Sequence, residues 1–186
     1  MVGFQERSDA ERFWAELKER MTKFSLELHP EKTRLLEFGR YAAERRKKRG
    51  QGRPEAFNFL GFTHICGKTK DGRYTVVRQT IRKRLQAKLN AVKAELERRM
   101  HDPIPEVGKW LRSVVSGHIR YYGVPLNGPA LTTFRTQVGR LWQRVMSRRS
   151  QKGQVCWERM RRYINRWLPP VRIVHPYPRY RLRVTT

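Results

Sequence analysis

The residues able to do chemistry fall into three kinds: metal ligands, carboxylates and dense groups of cations. Thr63-His64-Ile65-Cys66 sets an imidazole and a thiol two residues apart, on one face of an extended strand. A zinc site needs about four such ligands, and no second pair at metal-binding spacing follows. Most carboxylates sit among Lys and Arg. Asp9 and Glu11 read as first-turn charges that suit a helix dipole rather than as an acid–base pair. His29, before Pro30, reads as a turn residue. The cations are the stronger signal. Arg45-Arg46-Lys47-Lys48-Arg49 is an unbroken run, with Arg53 just beyond it. Arg82, Lys83, Arg84 and Lys88, then Lys93, Arg98 and Arg99, crowd the polar side of one long helical pattern. Arg112, Arg120, Arg148 and Arg149 extend the series, and Tyr121 and Tyr122 stand beside His118 and Arg120. Cations interleaved with aromatic rings suit phosphate gripping and base stacking. The alternatives are a merely solvated helix face and, for the tyrosines, core positions with satisfied hydroxyls.

The whole composition favours the first reading of the cations. The 186 residues carry 42 Lys+Arg against 16 Asp+Glu, a net charge of +26. Such a surplus repels itself unless something anionic cancels it, and release of counterions from a phosphate polymer rewards the neutralisation. With 38% hydrophobic and 11% aromatic residues the chain has a core to bury, which excludes a disordered basic tail. A membrane partner would need an amphipathic anchor or an apolar run of about 18 residues, and the sequence has no such run. The amphipathic, acid-bearing N-terminus does not read as a signal peptide. Cys66 and Cys156 then read as reduced thiols, and a cytoplasmic location is expected.

Elements must position these residues. Val2–Phe4 reads as a strand, followed by a helix opened by a Ser8/Glu11 capping box and carrying Phe13, Leu17, Met21 and Phe24 on one face beside Trp14. Leu26 and Leu28 alternate, His29-Pro30-Glu31-Lys32 turns, and Leu35, Leu36 and Phe38 read as a short strand. Residues 39–56 read as a flexible basic loop closed by Gly50, Gly52 and Pro54. Phe57–Cys66 and Tyr74–Val77 read as a β-hairpin turning at Asp71-Gly72. From Ile81 the period becomes helical, with Ile81, Leu85, Leu89, Val92 and Leu96 on one stripe. Breaks at residues 101–105 and 125–129 predict a second helix carrying Val107, Leu111, Val114, Val115 and Ile119, and a third over about 130–149. A shorter helix covers Trp157–Leu168 and stops at Pro169-Pro170.

Taken in order, FSLELHPEKTRLLEFGR, the basic loop, FNFLGFTHICG and WLRSVVSGHIRYYGVP resemble the C-terminal part of a bacterial group II intron reverse transcriptase/maturase, over essentially the whole chain. The resemblance implies an α+β fold. Residues 1–80 would be a truncated palm, with a strand–helix–strand piece and a β-hairpin. Residues 81–168 would be a helical thumb or maturase-specific RNA-binding domain, and residues 169–186 an extended basic tail. It implies a nucleotide-positioning role for Lys32, with Thr33 beside it, and a primer grip at Phe59, Leu60, Gly61 and Phe62. The partner implied is group II intron RNA or an RNA/DNA duplex. The family's paired aspartates would stand just before Met1, so no catalytic residue is assigned on this chain. Mg2+ is expected only if an upstream fingers/palm chain supplies those carboxylates. No clustered Cys and His follow Leu168, so an HNH nuclease module is not expected. Three readings follow: an RNA-binding maturase fragment, the C-terminal half of a split or mis-started polymerase, and a decayed remnant of a mobile intron.

Overall fold

The computed structural model describes residues 2–30, 33–69, 71–149 and 154–177. Its elements are α1 (Arg7–Lys23), α2 (Ala42–Lys48), β1 (Phe57–Phe59), β2 (Phe62–Lys68), β3 (Tyr74–Thr80), α3 (Arg82–Arg98), α4 (Ile104–Tyr122), α5 (Gly128–Arg148) and α6 (Trp157–Trp167). The class is α+β, with a three-stranded antiparallel sheet ordered β1-β2-β3. The chain forms two compact units, Met1–Glu55 and Ala56–Thr186. The boundary expected from sequence lies near residue 80, where the period becomes helical; the fold divides after Glu55. The sheet goes with the helices because its first strands carry Phe62 against Tyr121 and Tyr122, and its last residue, Thr80, is bonded to Asn127.

In the first unit the helix of the expected strand–helix–strand piece forms and the strands do not. Residues 2–4, 26–28 and 35–38 have no regular structure. A strand needs a partner for its backbone N–H and C=O groups, and a three-residue apolar alternation supplies none. Phe4 instead lays its ring on Phe13, centroids 5.2 Å apart. The capping box is also absent. Glu6 occupies the N-cap without a side-chain cap, and Ser8 lies inside the first turn. Exposed pairs, Arg7–Glu11 at 2.7 Å and Arg12–Asp9 at 3.1 Å, brace that turn. None of the expected stripe of α1 (Phe13, Leu17, Met21 and Phe24) is buried; Ala10 is the residue that α1 buries. Residues 42–48, expected to be loop, are helical. AAERRKK consists of strong helix formers, Glu44 and Lys48 pair at 3.2 Å, and the acid-first, base-last order suits the dipole.

The second unit holds the core. The sheet is a meander with one more reversal than the sequence suggests. Phe57–Cys66 is not one strand, because Phe59 pairs with Phe62 across a two-residue turn. Its central residues, Leu60 (φ 47°) and Gly61 (φ 83°), both take the left-handed backbone that such a tight hairpin demands. The β2–β3 hairpin runs from Phe62↔Thr80 to Lys68↔Tyr74 and closes through the Asp71-Gly72 turn.

The helices α3 to α6 fall where the 3.6-residue periodicity and the prolines place them. Pro103 precedes α4, Pro129 lies in the first turn of α5, and Pro169 follows α6. Helix α5 is central, packing against α3, α4 and α6. Its Phe134, Val138 and Trp142 meet Leu96, Leu111 and Met160, all fully buried. Gly108 lets Trp167 lie flat on α4; a Cβ there would sit 2.4 Å from the indole. Residues 171–177 carry no regular element but fold back on the end of α4. Both the Val174 and His175 N–H groups donate to the Gly123 carbonyl, at 2.9 and 3.0 Å.

Candidate nucleic-acid interface

Of the sequence-predicted site residues, the fold gathers six at one place: Leu60, Gly61, Phe62, Arg84, Tyr121 and Tyr122. Helix α4 ends in HIRYYG, which turns His118 and Ile119 inward and Arg120 and Tyr121 outward. The Tyr121 hydroxyl donates to the Leu60 carbonyl at 2.9 Å and so holds the β1–β2 turn. Its ring lies nearly parallel to Phe62, 6.1 Å away, while Tyr122 meets Phe62 edge-on at 5.2 Å. Gly61 is the tight point. A Cβ on it would sit 3.2 Å from the Tyr122 hydroxyl and 3.5 Å from Arg84 Nη1. Gly61 was expected inside a strand; it serves a turn. Its carbonyl accepts from Ile81 N–H at 3.1 Å, so the cationic start of α3 springs from beside the turn.

What this arrangement exposes is apolar and aromatic surface beside charge. Leu60 is 66% exposed and Tyr121 52%. Tyr121 is therefore no core residue, although its hydroxyl is satisfied; Tyr122 is half-buried. Phe59 is exposed on β1, near the His64 ring. Arg82, Lys83, Arg84 and Lys88 are all exposed, and among the described residues none has an ion-pair partner.

Other predicted cations have internal duties. Arg112 donates to the Arg166 carbonyl at 2.7 Å and lies over Trp167. Arg149 donates to the Asp102 carbonyl at 2.8 Å, and Arg148 sits 3.8 Å from Glu97. Arg120 is exposed, its carbonyl accepting from His175 Nε2 at 2.6 Å. In the first unit Arg49 pairs with Glu37, Arg46 donates to the Gly52 carbonyl and Lys48 pairs with Glu44. Arg45, Lys47 and Arg53 are exposed. Lys32 lies outside the described residues. The surplus of charge is concentrated in the second unit, where 28 Lys and Arg face 6 Asp and Glu.

Asn127, in sequence part of a helix break, and His118, in sequence a neighbour of the tyrosines and Arg120, are both buried. Asn127, 1% exposed, accepts from the Thr80 N–H at 3.0 Å and donates to the Thr80 hydroxyl and the Tyr122 carbonyl at 2.9 and 2.8 Å. It ties the end of the sheet to the end of α4, fixing Tyr121 against the turn. His118, 6% exposed, stacks on Phe134 at 3.7 Å, and its Nε2 has no partner. Burial, aided by the charge of Lys88, pushes its pKa down from 6.5 to about 4.

His118 ties the stability of the fold to pH. The unfolded chain takes up the proton first, so stability is full above pH 6.5, falls below it and levels off near pH 4. The loss across that window is about 3 kcal/mol, at 1.36 kcal/mol per pKa unit. Urea unfolding at pH 7 and pH 4 measures it. His118→Gln should flatten that part of the profile, and an unchanged profile would refute the assignment.

Among the described residues no group of three or more His, Cys, Asp or Glu could hold a metal ion. His64 stacks on Phe57 at 4.9 Å, and Cys66 Sγ lies 3.8 Å from the Tyr74 hydroxyl, whose pKa burial pushes up to about 12. No helix among the described residues is long and apolar enough to cross a membrane.

Fold and surface together define a strongly basic α+β chain that presents a sheet turn, a tyrosine and a row of unpaired cations. No protein-family model, no curated protein and no solved structure matches it.

Proposed function

We propose that the chain is an RNA-binding module of the group II intron maturase type, assisting intron folding and splicing by gripping RNA or an RNA/DNA duplex. The observation that carries this reading is the row Arg82, Lys83, Arg84 and Lys88, exposed and unpaired beside the Leu60–Gly61 turn and the open face of Tyr121. Cations on a rigid helix track the phosphates of an A-form duplex without reading its sequence. Turn and ring add a platform at one end of that track. The four residues of the turn, Phe59 to Phe62, would act together with Tyr121 as the grip that the sequence resemblance implies.

Binding of a structured intron RNA should be steeply salt-dependent. With six or more phosphate contacts the affinity falls on the order of 10³-fold between 50 and 200 mM salt. Filter binding across that range tests it, and an affinity that stays flat would overturn the proposal.

A further inference from the structure

A second feature of the helical unit is not used by the turn site. The C-terminal half of α5 and the start of α6 enclose an open groove of about 390 Å³, lined by Arg140, Gln143, Arg144, Ser147, Val155 and Trp157. Arg140 lies 13 residues beyond Asn127, or about 20 Å along the helix at 1.5 Å per residue. The groove is therefore a separate place from the sheet turn.

Its construction fixes an aromatic ring next to charge. The Val155 N–H donates to Ser147 Oγ at 3.2 Å, and Gln143 Nε2 donates to the Val155 carbonyl at 2.9 Å. Two side chains of α5 thus lace down the segment that leads into α6. Met160, fully buried three residues on, anchors the first turn of α6. Trp157 is left 44% exposed between these fixed points. Arg140 and Arg144 are exposed, one turn apart on α5, where neighbouring side chains stand about 5–6 Å from each other. Neither has an ion-pair partner among the described residues.

We propose that this groove takes an unpaired nucleotide, its base stacked on Trp157 and its flanking phosphates held by Arg140 and Arg144. The inference rests on the RNA-binding reading and adds a substrate class to it. A paired base keeps both faces covered inside a helix, so only an unpaired one can offer a face to the indole. The occupant's backbone must be anionic to match two free guanidiniums, and its base must be flat to use the ring. A nucleotide has both, whereas an acidic peptide satisfies only the arginines. The module would thus hold a duplex at the turn and α3 and a single-stranded extension at α5.

Two labelled RNA hairpins, each closed by a non-nucleotide linker so that the loop offers no unpaired base, test this by fluorescence anisotropy. They are identical except that one carries short single-stranded extensions at both ends. Wild type should bind the extended hairpin roughly 5- to 100-fold more tightly, the range one stacked base gives. Trp157→Ala should erase that preference and leave the plain hairpin bound as before, while Trp157→Phe should keep most of it. Arg140→Gln with Arg144→Gln should reduce the preference too. Arg82→Ala with Arg84→Ala should weaken both hairpins alike. A wild type that binds the two hairpins equally, or a Trp157→Ala variant that melts normally and keeps the preference, overturns the groove assignment and leaves RNA binding standing. A wild type that binds neither hairpin overturns both readings.

Discussion

Asn127→Ala should lower the stability of the helical unit by about 4 kcal/mol. Three hydrogen bonds are lost at a site only 1% exposed. The larger part of the cost is what stays behind: the Thr80 N–H and hydroxyl would each be buried without a partner, at about 1–3 kcal/mol apiece, while the Tyr122 carbonyl keeps its bond from the Val124 N–H. Relaxation and water entry recover some of that sum. For a unit of this size the melting temperature should fall by about 15 °C. Asn127→Asp separates the contributions, since a carboxylate still accepts from Thr80 N–H but cannot donate to the hydroxyl or the Tyr122 carbonyl. Its second oxygen sets an acceptor, and at neutral pH a buried charge, against the Tyr122 carbonyl, so it should be no more stable than alanine. Thermal melts followed by circular dichroism decide the matter. An alanine variant melting within two degrees or so of wild type would show that the clamp contributes nothing.

The other large effect is on binding. Replacing Arg82, Lys83, Arg84 and Lys88 together with alanine should cost on the order of 10³-fold in RNA affinity at physiological salt. Each phosphate contact contributes about 0.9 to the slope of log K against log salt, so the slope should flatten by about three to four. Stability should hardly change, because all four side chains are exposed and make no ion pair among the described residues. Replacing Arg112, Arg148 and Arg149 is the internal control. Those side chains hold the Arg166 and Asp102 carbonyls and face Glu97, so their loss should show in the melt more than in the salt slope. A quadruple variant that binds like wild type would remove the main support for the proposed interface.

Charge alone could not separate these two groups of cations. In sequence Arg84 and Arg112 look alike. One stands free beside Gly61 and the other bonds a carbonyl 54 residues away. The helices were legible because their apolar stripes repeat over four or five turns and prolines mark their ends. The strands expected in the first unit rested on three residues each, too few to specify a partner. The first hairpin was hidden because Leu60-Gly61 does the work usually signalled by Asn-Gly, and leucine gives no hint of a left-handed backbone. From its charge the basic run at 45–49 reads as flexible, although its arginines and lysines, with Ala42, Ala43 and Glu44 before them, are strong helix formers. Asn127, in a Pro-Leu-Asn-Gly-Pro run, reads as a turn residue. Its role depends on a threonine 47 positions back, which no local pattern encodes.

The clasp at the end of α4 bears on the order in which the molecule is assembled. The Arg120 and Gly123 carbonyls are satisfied by Val174 and His175, some fifty residues later in the chain. A ribosome delivers α4 long before it delivers those partners. Until then the last turn of α4, which presents Tyr121, has open carbonyls and a free end. The sheet turn and the Asn127 clamp can close first, since their residues all precede α5. The surface around Tyr121, the proposed interface, therefore matures in two stages, and only a chain translated through residue 175 holds it in its finished form.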